Sequence, residues 1–162
     1  MEANAEQVFL ECCREQFGWT RYPMTQDMNL AELVARIQES GQKIARKLLE
    51  TRLLEDPRTH PAKPGCPECG NKLRIQETAQ RRVLNTGLGE IEYQRAYGVC
   101  DRCGYSGAPL DEGLGIPHSG PSVGTLRKVC HAALIAGSFE KGEDVLKEHG
   151  DIRFCRQYVR TR

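Results

Sequence analysis

The sequence predicts an α+β protein that is mostly helical and contains one small antiparallel sheet. Three observations support this class. Two Cys-x-x-Cys-Gly motifs stand at Cys66–Gly70 and Cys100–Gly104. Alternating apolar residues and a glycine-bearing turn lie between them, and helical apolar periodicity lies on both sides. We therefore expect a helical module at 1–58, a cysteine-bearing β module at 62–112 and a second helical module at 119–162.

The composition limits the core and indicates the compartment. The chain has 162 residues, a net charge of +1, 39% hydrophobic residues and 6% aromatic residues, so any nucleic-acid surface must be local. No apolar run is long enough to span a membrane, and Met1–Gln7 is too polar for a signal peptide. Eight cysteines without a secretion signal favour a reducing compartment, and we expect a cytoplasmic protein.

The first module is predicted to contain two helices. Ala3–Gln16 has an apolar side and ends at Gly18, and Asn29–Glu55 is one long helix that Thr25 or Asp27 caps. Apolar residues of the long helix recur at alternating steps of four and three, and we call them the Leu30–Leu48 stripe: Leu30, Val34, Ile37, Gly41, Ile44 and Leu48. So narrow a stripe suits a coiled-coil homodimer or packing on the first helix.

The two cysteine motifs predict a metal site. Each pair lies on a tight turn, where the following glycine supplies positive φ and an amide for a thiolate. Four thiolates suit tetrahedral Zn²⁺ without an open position, so the predicted ligands of a structural zinc ion are Cys66, Cys69, Cys100 and Cys103. The alternatives are two disulfides or four free thiols. The proline-bearing segment Asp56–Gly65 before the site is the predicted linker, and its His60 is not expected to bind the metal.

Short strands are predicted between the motifs, at Lys72–Gln76, Gln80–Thr86 and Glu90–Tyr97. Both glycines of the Gly87–Gly89 turn are expected to supply positive φ, and Val83 is expected to share a face with Ile91 and Tyr93. Antiparallel strands that join two cysteine turns form a zinc ribbon. A unit of about forty residues buries too little surface to fold alone, so the metal is expected to stabilise it.

A connector at Pro109–Pro117 leads into the last module. Three helices are predicted there, from the Ser122 cap to Ala136, from Phe139 to His149 and from Ile152 to Arg162. Short glycine turns separate them, which is the outline of a three-helix helix-turn-helix domain. The four remaining cysteines lie in predicted helices and are expected to be buried as small apolar side chains: Cys12, Cys13, Cys130 and Cys155.

The last helix is the candidate DNA-recognition helix. Arg153, Arg156 and Arg160 are spaced to share one face, and Gln157 flanks them. Arginine binds phosphates and guanine edges, and a side-chain amide binds adenine. The alternative is a solvated helix end, where cations are favoured in any case.

Arg81 and Arg82 in the predicted ribbon are further candidates for nucleic-acid contact. The alternative is that they only neutralise the net negative charge of a zinc ion with four thiolates. No catalytic site is predicted. Asp111 and Glu112 are adjacent, so their carboxylates point apart, and a zinc ion with four thiolates has no open position for a hydrolytic water. We expect no enzyme activity and no small-molecule substrate.

Several segments carry a family resemblance: CPECG, RRVLNTGLGEIEYQRAYGVCDRCG, APLDEGLGIP, the serine-capped helix and SFEKGEDVLKEHG. Over residues 66–160 the chain resembles the N-terminal region of bacterial insertion-sequence transposases of the ISKra family. The resemblance implies that double-stranded DNA at transposon ends is the partner, that the four cysteines bind metal and that Arg153, Arg156 and Arg160 lie in the recognition helix. It also implies a later DDE-type catalytic domain with an acidic triad. No residue here is assigned to that triad, so a truncated, nucleoid-associated transposase is expected.

Two other classes of function stay open. A rubredoxin-like electron carrier also has paired Cys-x-x-Cys motifs, and Cys103-Gly104-Tyr105 resembles its cysteine turn. That triplet occurs here in the second pair, and the aromatic-rich core of such carriers is missing. A protein–protein adaptor would use the Leu30–Leu48 stripe instead, and it would dimerise without regard to DNA.

Overall fold

The computed structural model describes residues 5–18 and 28–150. These residues form five helices and one three-stranded antiparallel sheet, which confirms the predicted α+β class. In chain order the elements are α1 Ala5–Phe17, α2 Leu30–Glu55, β1 Arg74–Thr86, β2 Gly89–Val99, β3 Ser106–Gly107, α3 Pro109–Leu114, α4 Val123–Ala136 and α5 Phe139–Gly150. The chain divides into two compact units, Met1–Arg52 and Leu53–Arg162. The three-module division stays a prediction.

The first turn of α2 is closed by a reciprocal cap. The Glu32 backbone N–H donates to Asn29 Oδ1 at 3.0 Å, and the Asn29 backbone N–H donates to Glu32 Oε2 at 3.2 Å. This capping box satisfies two amides that lack partners inside the helix. Asn29 is therefore the observed cap, whereas the expected caps Thr25 and Asp27 lie outside the described residues.

Free cysteines outside the two motifs are less buried than predicted. Cys12 and Cys13 are half-buried, and Cys130 is exposed, so the prediction of burial is wrong for Cys130. The physical reason is the orientation of α4, which turns Val129 and Ala133 inward and leaves Cys130 on the other side. Cys155 lies outside the described residues.

The register of the hairpin differs from the predicted one by one residue. Leu84 pairs with Ile91, and Val83 pairs with Glu92. Leu84 and Ile91 are 3% and 2% exposed, whereas Val83 is 52% exposed, so the expectation that Val83 shares the Ile91 face is wrong. Directly opposed residues share a face, and the short turn fixes which residues are opposed. The two strands predicted at 72–76 and 80–86 join as β1, with register shifts between them.

The hairpin turn uses its two glycines differently. Gly89 has a positive φ of 99°, as predicted, but Gly87 is not among the positive-φ glycines of the described residues. A Cβ on Gly87 would lie 3.1 Å from Lys128 Nζ, the end of a flexible side chain that can move aside, so this contact does not by itself require glycine. The Leu88 amide donates to Thr86 Oγ1, and that hydroxyl donates to the Gly89 carbonyl at 2.7 Å, which fixes the turn.

The segment predicted as a linker is attached to the sheet. Thr59 is fully buried, its hydroxyl donates to the Leu53 carbonyl, and its own carbonyl accepts the Ala96 N–H at 3.0 Å. The boundary between the compact units precedes this segment. Asp56–Gly65 therefore belongs to the unit that contains the sheet.

The connector predicted at Pro109–Pro117 contains a helix, α3, which corrects the expectation of an irregular segment. Pro109 occupies its first turn, where a missing N–H costs nothing, and Gly115 ends it in the left-handed conformation at φ 63°. Leu110 and Asp111 of α3 are 0% and 2% exposed. The helix therefore buries the Asp111 carboxylate together with the Leu110 side chain.

That carboxylate is the centre of a buried ion cluster of four residues. Asp111 accepts a hydrogen bond from Tyr93 Oη at 2.7 Å and ion-pairs with Arg82 at 2.5 Å and with Arg95. The Arg82, Arg95 and Asp111 side chains are 10%, 13% and 3% exposed. Burial raises the pKa of Tyr93 and lowers the pKa of Arg95, because each charged form loses solvent. The cluster fixes α3 to the inner face of the hairpin.

The last two described helices form a hairpin on the end of β1. The Ser122 amide and the Thr125 hydroxyl both donate to the Asn85 carbonyl, at 2.9 and 3.3 Å. Ser122 Oγ accepts the Thr125 N–H at 3.3 Å, which confirms the predicted cap of α4. A Cβ on Gly142 would lie 2.8 Å from the Ala133 amide nitrogen, so α5 approaches α4 closely. The predicted third helix lies outside the described residues.

We predict that Asp111→Ala strongly destabilises the protein. The change leaves two buried guanidinium groups without their carboxylate, which costs about 3–5 kcal/mol of unfolding free energy. Equilibrium urea unfolding of the zinc-loaded protein measures the loss. Glu92→Ala is the matched control because it breaks the solvent-exposed pair with Arg81, and we expect little change from it. Equal midpoints for the two variants would contradict the assigned role of the cluster.

Candidate metal centre

The two cysteine motifs fold into turns of the same geometry. In the first turn, the Cys66 amide donates to the Asn71 carbonyl at 2.6 Å, and the Gly70 amide donates to the Cys66 carbonyl at 2.9 Å. In the second turn, the Cys100 amide donates to the Tyr105 carbonyl at 2.8 Å, and the Gly104 amide donates to the Cys100 carbonyl at 2.9 Å. Gly70 and Gly104 have φ values of 71° and 76°, which confirms the need for glycine.

The hydrogen bonds to sulfur come from the residue after each glycine. The expectation that the glycine amides donate to thiolates is wrong, since both of these amides donate to carbonyls. The Asn71 side-chain amide donates to Cys69 Sγ at 3.2 Å. Hydrogen bonds from the Asn71 side chain and backbone lower the pKa of Cys69 to about 6. Asn71 therefore stabilises the thiolate form, as outer-shell donors do at metal sites.

The four sulfurs lie close enough to share one ion. All of them lie within 4.8 Å of one another, with Cys66 Sγ 3.5 Å from Cys103 Sγ and Cys69 Sγ 3.5 Å from Cys100 Sγ. A tetrahedron with Zn–S bonds of 2.3 Å has sulfur–sulfur edges of about 3.8 Å, whereas a disulfide needs about 2.0 Å. The spacing fits one tetrahedral ion, and the four cysteines are free rather than joined in the two disulfides of the alternative.

Electrostatics also favour a cation at this centre. The Tyr105 backbone N–H lowers the pKa of Cys103, but burial and the bonds with the three other sulfurs outweigh it and raise that pKa to about 12. Four thiolates this close repel one another, so a cation must compensate them for all to be deprotonated. Zinc or another thiophilic ion would supply this charge and link the two turns; it leaves no open position for chemistry on a substrate.

The small core of the ribbon is built around the same sulfurs. Cys66, Leu73 and Cys100 are 3%, 1% and 1% exposed and pack together, with Ile75 and Tyr105 against them. So few apolar side chains bury little surface, and a structural ion would supply the missing stability. The arrangement is a possible four-cysteine metal site that indicates a zinc-stabilised domain.

The predicted DNA contacts on the ribbon occupy different environments. Arg81 is 70% exposed and ion-paired with Glu92. Arg82 is one residue further along β1, faces inward and is bound to Asp111 and the Pro117 carbonyl. The remaining predicted contacts lie outside the described residues: Arg153, Arg156, Gln157 and Arg160.

The adjacent carboxylates of Asp111 and Glu112 point apart, as expected. Glu112 accepts a hydrogen bond from Tyr105 Oη at 2.8 Å, whereas Asp111 lies in the buried ion cluster.

Sequence reasoning missed a basic surface on α4. Arg127, Lys128 and His131 are all exposed on this helix, and its sequence from Val123 to Ala136 contains no acidic residue. Lys128 also lies beside the hairpin turn, close to Gly87. The absence of acids could be read from the sequence, but the proximity of the turn could not. We call Arg127, Lys128 and His131 the α4 basic face.

The chain matches no protein-family model, no curated protein and no solved structure. The four-cysteine cluster on a small antiparallel sheet is consistent with a zinc ribbon, and no family is identified for the chain. Among the described residues, no helix combines the length and apolar character needed to cross a membrane.

We predict that Cys100→Ser abolishes metal binding and unfolds the ribbon. Losing one of the four sulfurs opens the site and removes most of a binding free energy that is about 10–16 kcal/mol for structural zinc. Elemental analysis should show bound zinc falling from about one equivalent per chain, and the thermal transition should broaden or vanish. Cys130→Ser is the matched control, because it removes an exposed thiol outside the cluster. Full zinc content and an unchanged melting curve in Cys100→Ser would disprove the site.

Proposed function

We propose that this protein is a zinc-stabilised module that binds double-stranded DNA. The observation that carries the proposal is the α4 basic face, held on the hairpin of a four-cysteine ribbon. The ion-stabilised ribbon would be the scaffold, and the exposed cations would be the contact surface. The protein would contribute positioned positive charge rather than reacting groups, so we propose no catalytic role for this chain.

The position of α4 supports a defined contact surface. Two hydrogen bonds to the Asn85 carbonyl fix its first turn to β1, and Thr125 is fully buried at that junction. Rigid attachment reduces the entropy lost when a surface binds its partner. Arg127 and Lys128 would therefore approach a phosphate backbone from a fixed helix.

The charge environment distinguishes α4 from the ribbon. Arg74 and Arg81 are exposed, but each already has a carboxylate partner, Asp101 and Glu92 respectively. A phosphate that binds either arginine must compete with that carboxylate. Arg127 and Lys128 have no carboxylate partner on their own helix, so phosphate binding there releases counterions instead. Affinity from this face would depend steeply on salt.

The proposed recognition helix would extend this surface. The α4–α5 connection is short, with Gly137 in the left-handed conformation and Ser138 Oγ accepting the Lys141 amide at 3.2 Å. Two helices joined in this way support a helix-turn-helix domain in which a third helix enters the major groove. Arg153, Arg156, Gln157 and Arg160 supply suitable groups for that helix, and they lie outside the described residues.

The narrower form of the proposal concerns the DNA itself. The resemblance of residues 66–160 to ISKra-family transposases supports transposon ends as the DNA and a DDE-type domain elsewhere as the catalyst. Within this proposal the chain would act as an end-recognition component, and a catalytic domain would cut and join the DNA. Affinity for double-stranded DNA of any sequence tests the broader proposal. Preferential binding to a transposon-end sequence tests the narrower one.

We predict that Arg127→Ala/Lys128→Ala weakens DNA binding about tenfold and lowers the slope of log Kd against log salt concentration by about 2. Each lost cation removes one phosphate contact and its counterion release. Fluorescence anisotropy with a double-stranded oligonucleotide at several salt concentrations measures both quantities. Arg36→Ala/Lys43→Ala is the control of equal charge, because it removes two exposed cations from α2, where Lys43 already pairs with Glu39. Equal loss in both variants, or no loss in the first, would contradict a contact at α4.

Arg156→Ala tests the proposed recognition helix separately. If Arg156 contacts a guanine edge, the substitution should cost about 1–3 kcal/mol with the preferred sequence and less with random DNA. Competition between the two DNAs in the same anisotropy assay separates these effects. A uniform loss across sequences would assign Arg156 to phosphate contact, and unchanged affinity would remove this helix from the interface.

A further inference from the structure

Four of the five apolar side chains of the Leu30–Leu48 stripe of α2 are exposed, and Ile44 is half-buried. Leu30, Val34, Ile37 and Leu48 are 76%, 45%, 46% and 39% exposed. The side of α2 that is buried in the same unit is a neighbouring one, marked by Ser40 at 5% exposure. Most of this regular apolar pattern therefore faces solvent within the described residues.

We propose that a second copy of this chain covers the stripe, with the two α2 helices antiparallel in a two-stranded coiled coil. The six stripe residues are separated by steps of four, three, four, three and four, which are the a and d positions of a heptad repeat. A strict heptad keeps its seam facing one partner helix, whereas a helix packed on a globular core has a broader apolar side.

The stripe is self-complementary in one register. When two copies run antiparallel about an axis beside Glu39, Leu30 meets Leu48 and Val34 meets Ile44. In that register Ile37 meets Gly41, so a large residue faces the one position that has no side chain. A Cβ on Gly41 would meet nothing within 4 Å, so there is open space beside it for the incoming isoleucine. Every stripe residue is then paired, and the two-fold symmetry closes the assembly at two chains.

A parallel pair fits this sequence less well. It would place Gly41 opposite Gly41 and leave an unfilled layer in the seam, with the cost of a cavity. Charge does not select the orientation, because Lys47 is the single charged residue at the positions that flank the stripe. The Gly41 layer therefore decides between the two arrangements.

Sedimentation equilibrium of the full zinc-loaded chain tests the dimer, over concentrations up to about 100 μM. We expect a mass twice the chain mass of 18.2 kDa. Ile37→Asp places a charge in the seam and should raise the dimer dissociation constant at least about tenfold. Leu54→Asp is the matched control, because Leu54 is 55% exposed on the same helix but outside the stripe, and it should remain dimeric. Circular dichroism and zinc content verify that both variants fold.

A distance measurement tests the orientation. The spin label is attached to a genetically encoded non-natural amino acid at position 52. This labelling chemistry does not react with the thiols of the four-cysteine cluster. Arg52 is thirteen residues beyond Glu39, so the antiparallel dimer separates the two labels by about 39 Å along the axis, against less than about 20 Å in a parallel dimer. A single-chain mass at the highest concentration, or a dimer that Ile37→Asp leaves unchanged, would overturn the interface. A short distance would overturn the antiparallel register. Neither result depends on DNA binding.

Discussion

The second compact unit depends on bringing four sulfurs to one point. Each cysteine turn needs a glycine with positive φ, and the two turns meet only because β1 and β2 return the chain across the sheet. Close thiolates repel one another, and few apolar residues surround them. A bound ion would convert this repulsion into attraction, so ribbon folding and metal binding are expected to be one equilibrium. The surface supported by the ribbon would form only in the metal-bound state.

A second, metal-independent constraint fixes the other end of the ribbon. The hairpin register turns Arg82 and Tyr93 toward Asp111 of α3, and these groups with Arg95 form a buried polar centre. Buried charges are costly unless paired, so the cluster discriminates against any register that would separate them. Arg81, one residue earlier, faces solvent. A single step along a strand thus separates a structural arginine from one that is accessible to a partner.

The two compact units contain different kinds of surface. In the second unit, the α4 basic face is attached to the ribbon and suits a polyanion. In the first unit, the Leu30–Leu48 stripe is apolar, heptad-spaced and self-complementary, and it suits a copy of itself. If both proposals hold, dimerisation would present two DNA-binding surfaces from one assembly, and their joint binding would raise affinity through effective concentration. Paired surfaces of this kind would suit DNA with two related ends.

The sequence alone determined the α+β class, the long helix, the Ser122 cap and the four cysteines of the cluster, because local spacing controls turns, helix periodicity and ligand chemistry. It did not determine the β1 register or the helical state of Pro109–Leu114, and it did not place Arg82 inside. These features depend on which residues meet across the sheet. One residue of register exchanges the two faces of a strand, so only the tertiary pairing could decide that Arg82 binds Asp111 while Arg81 faces solvent.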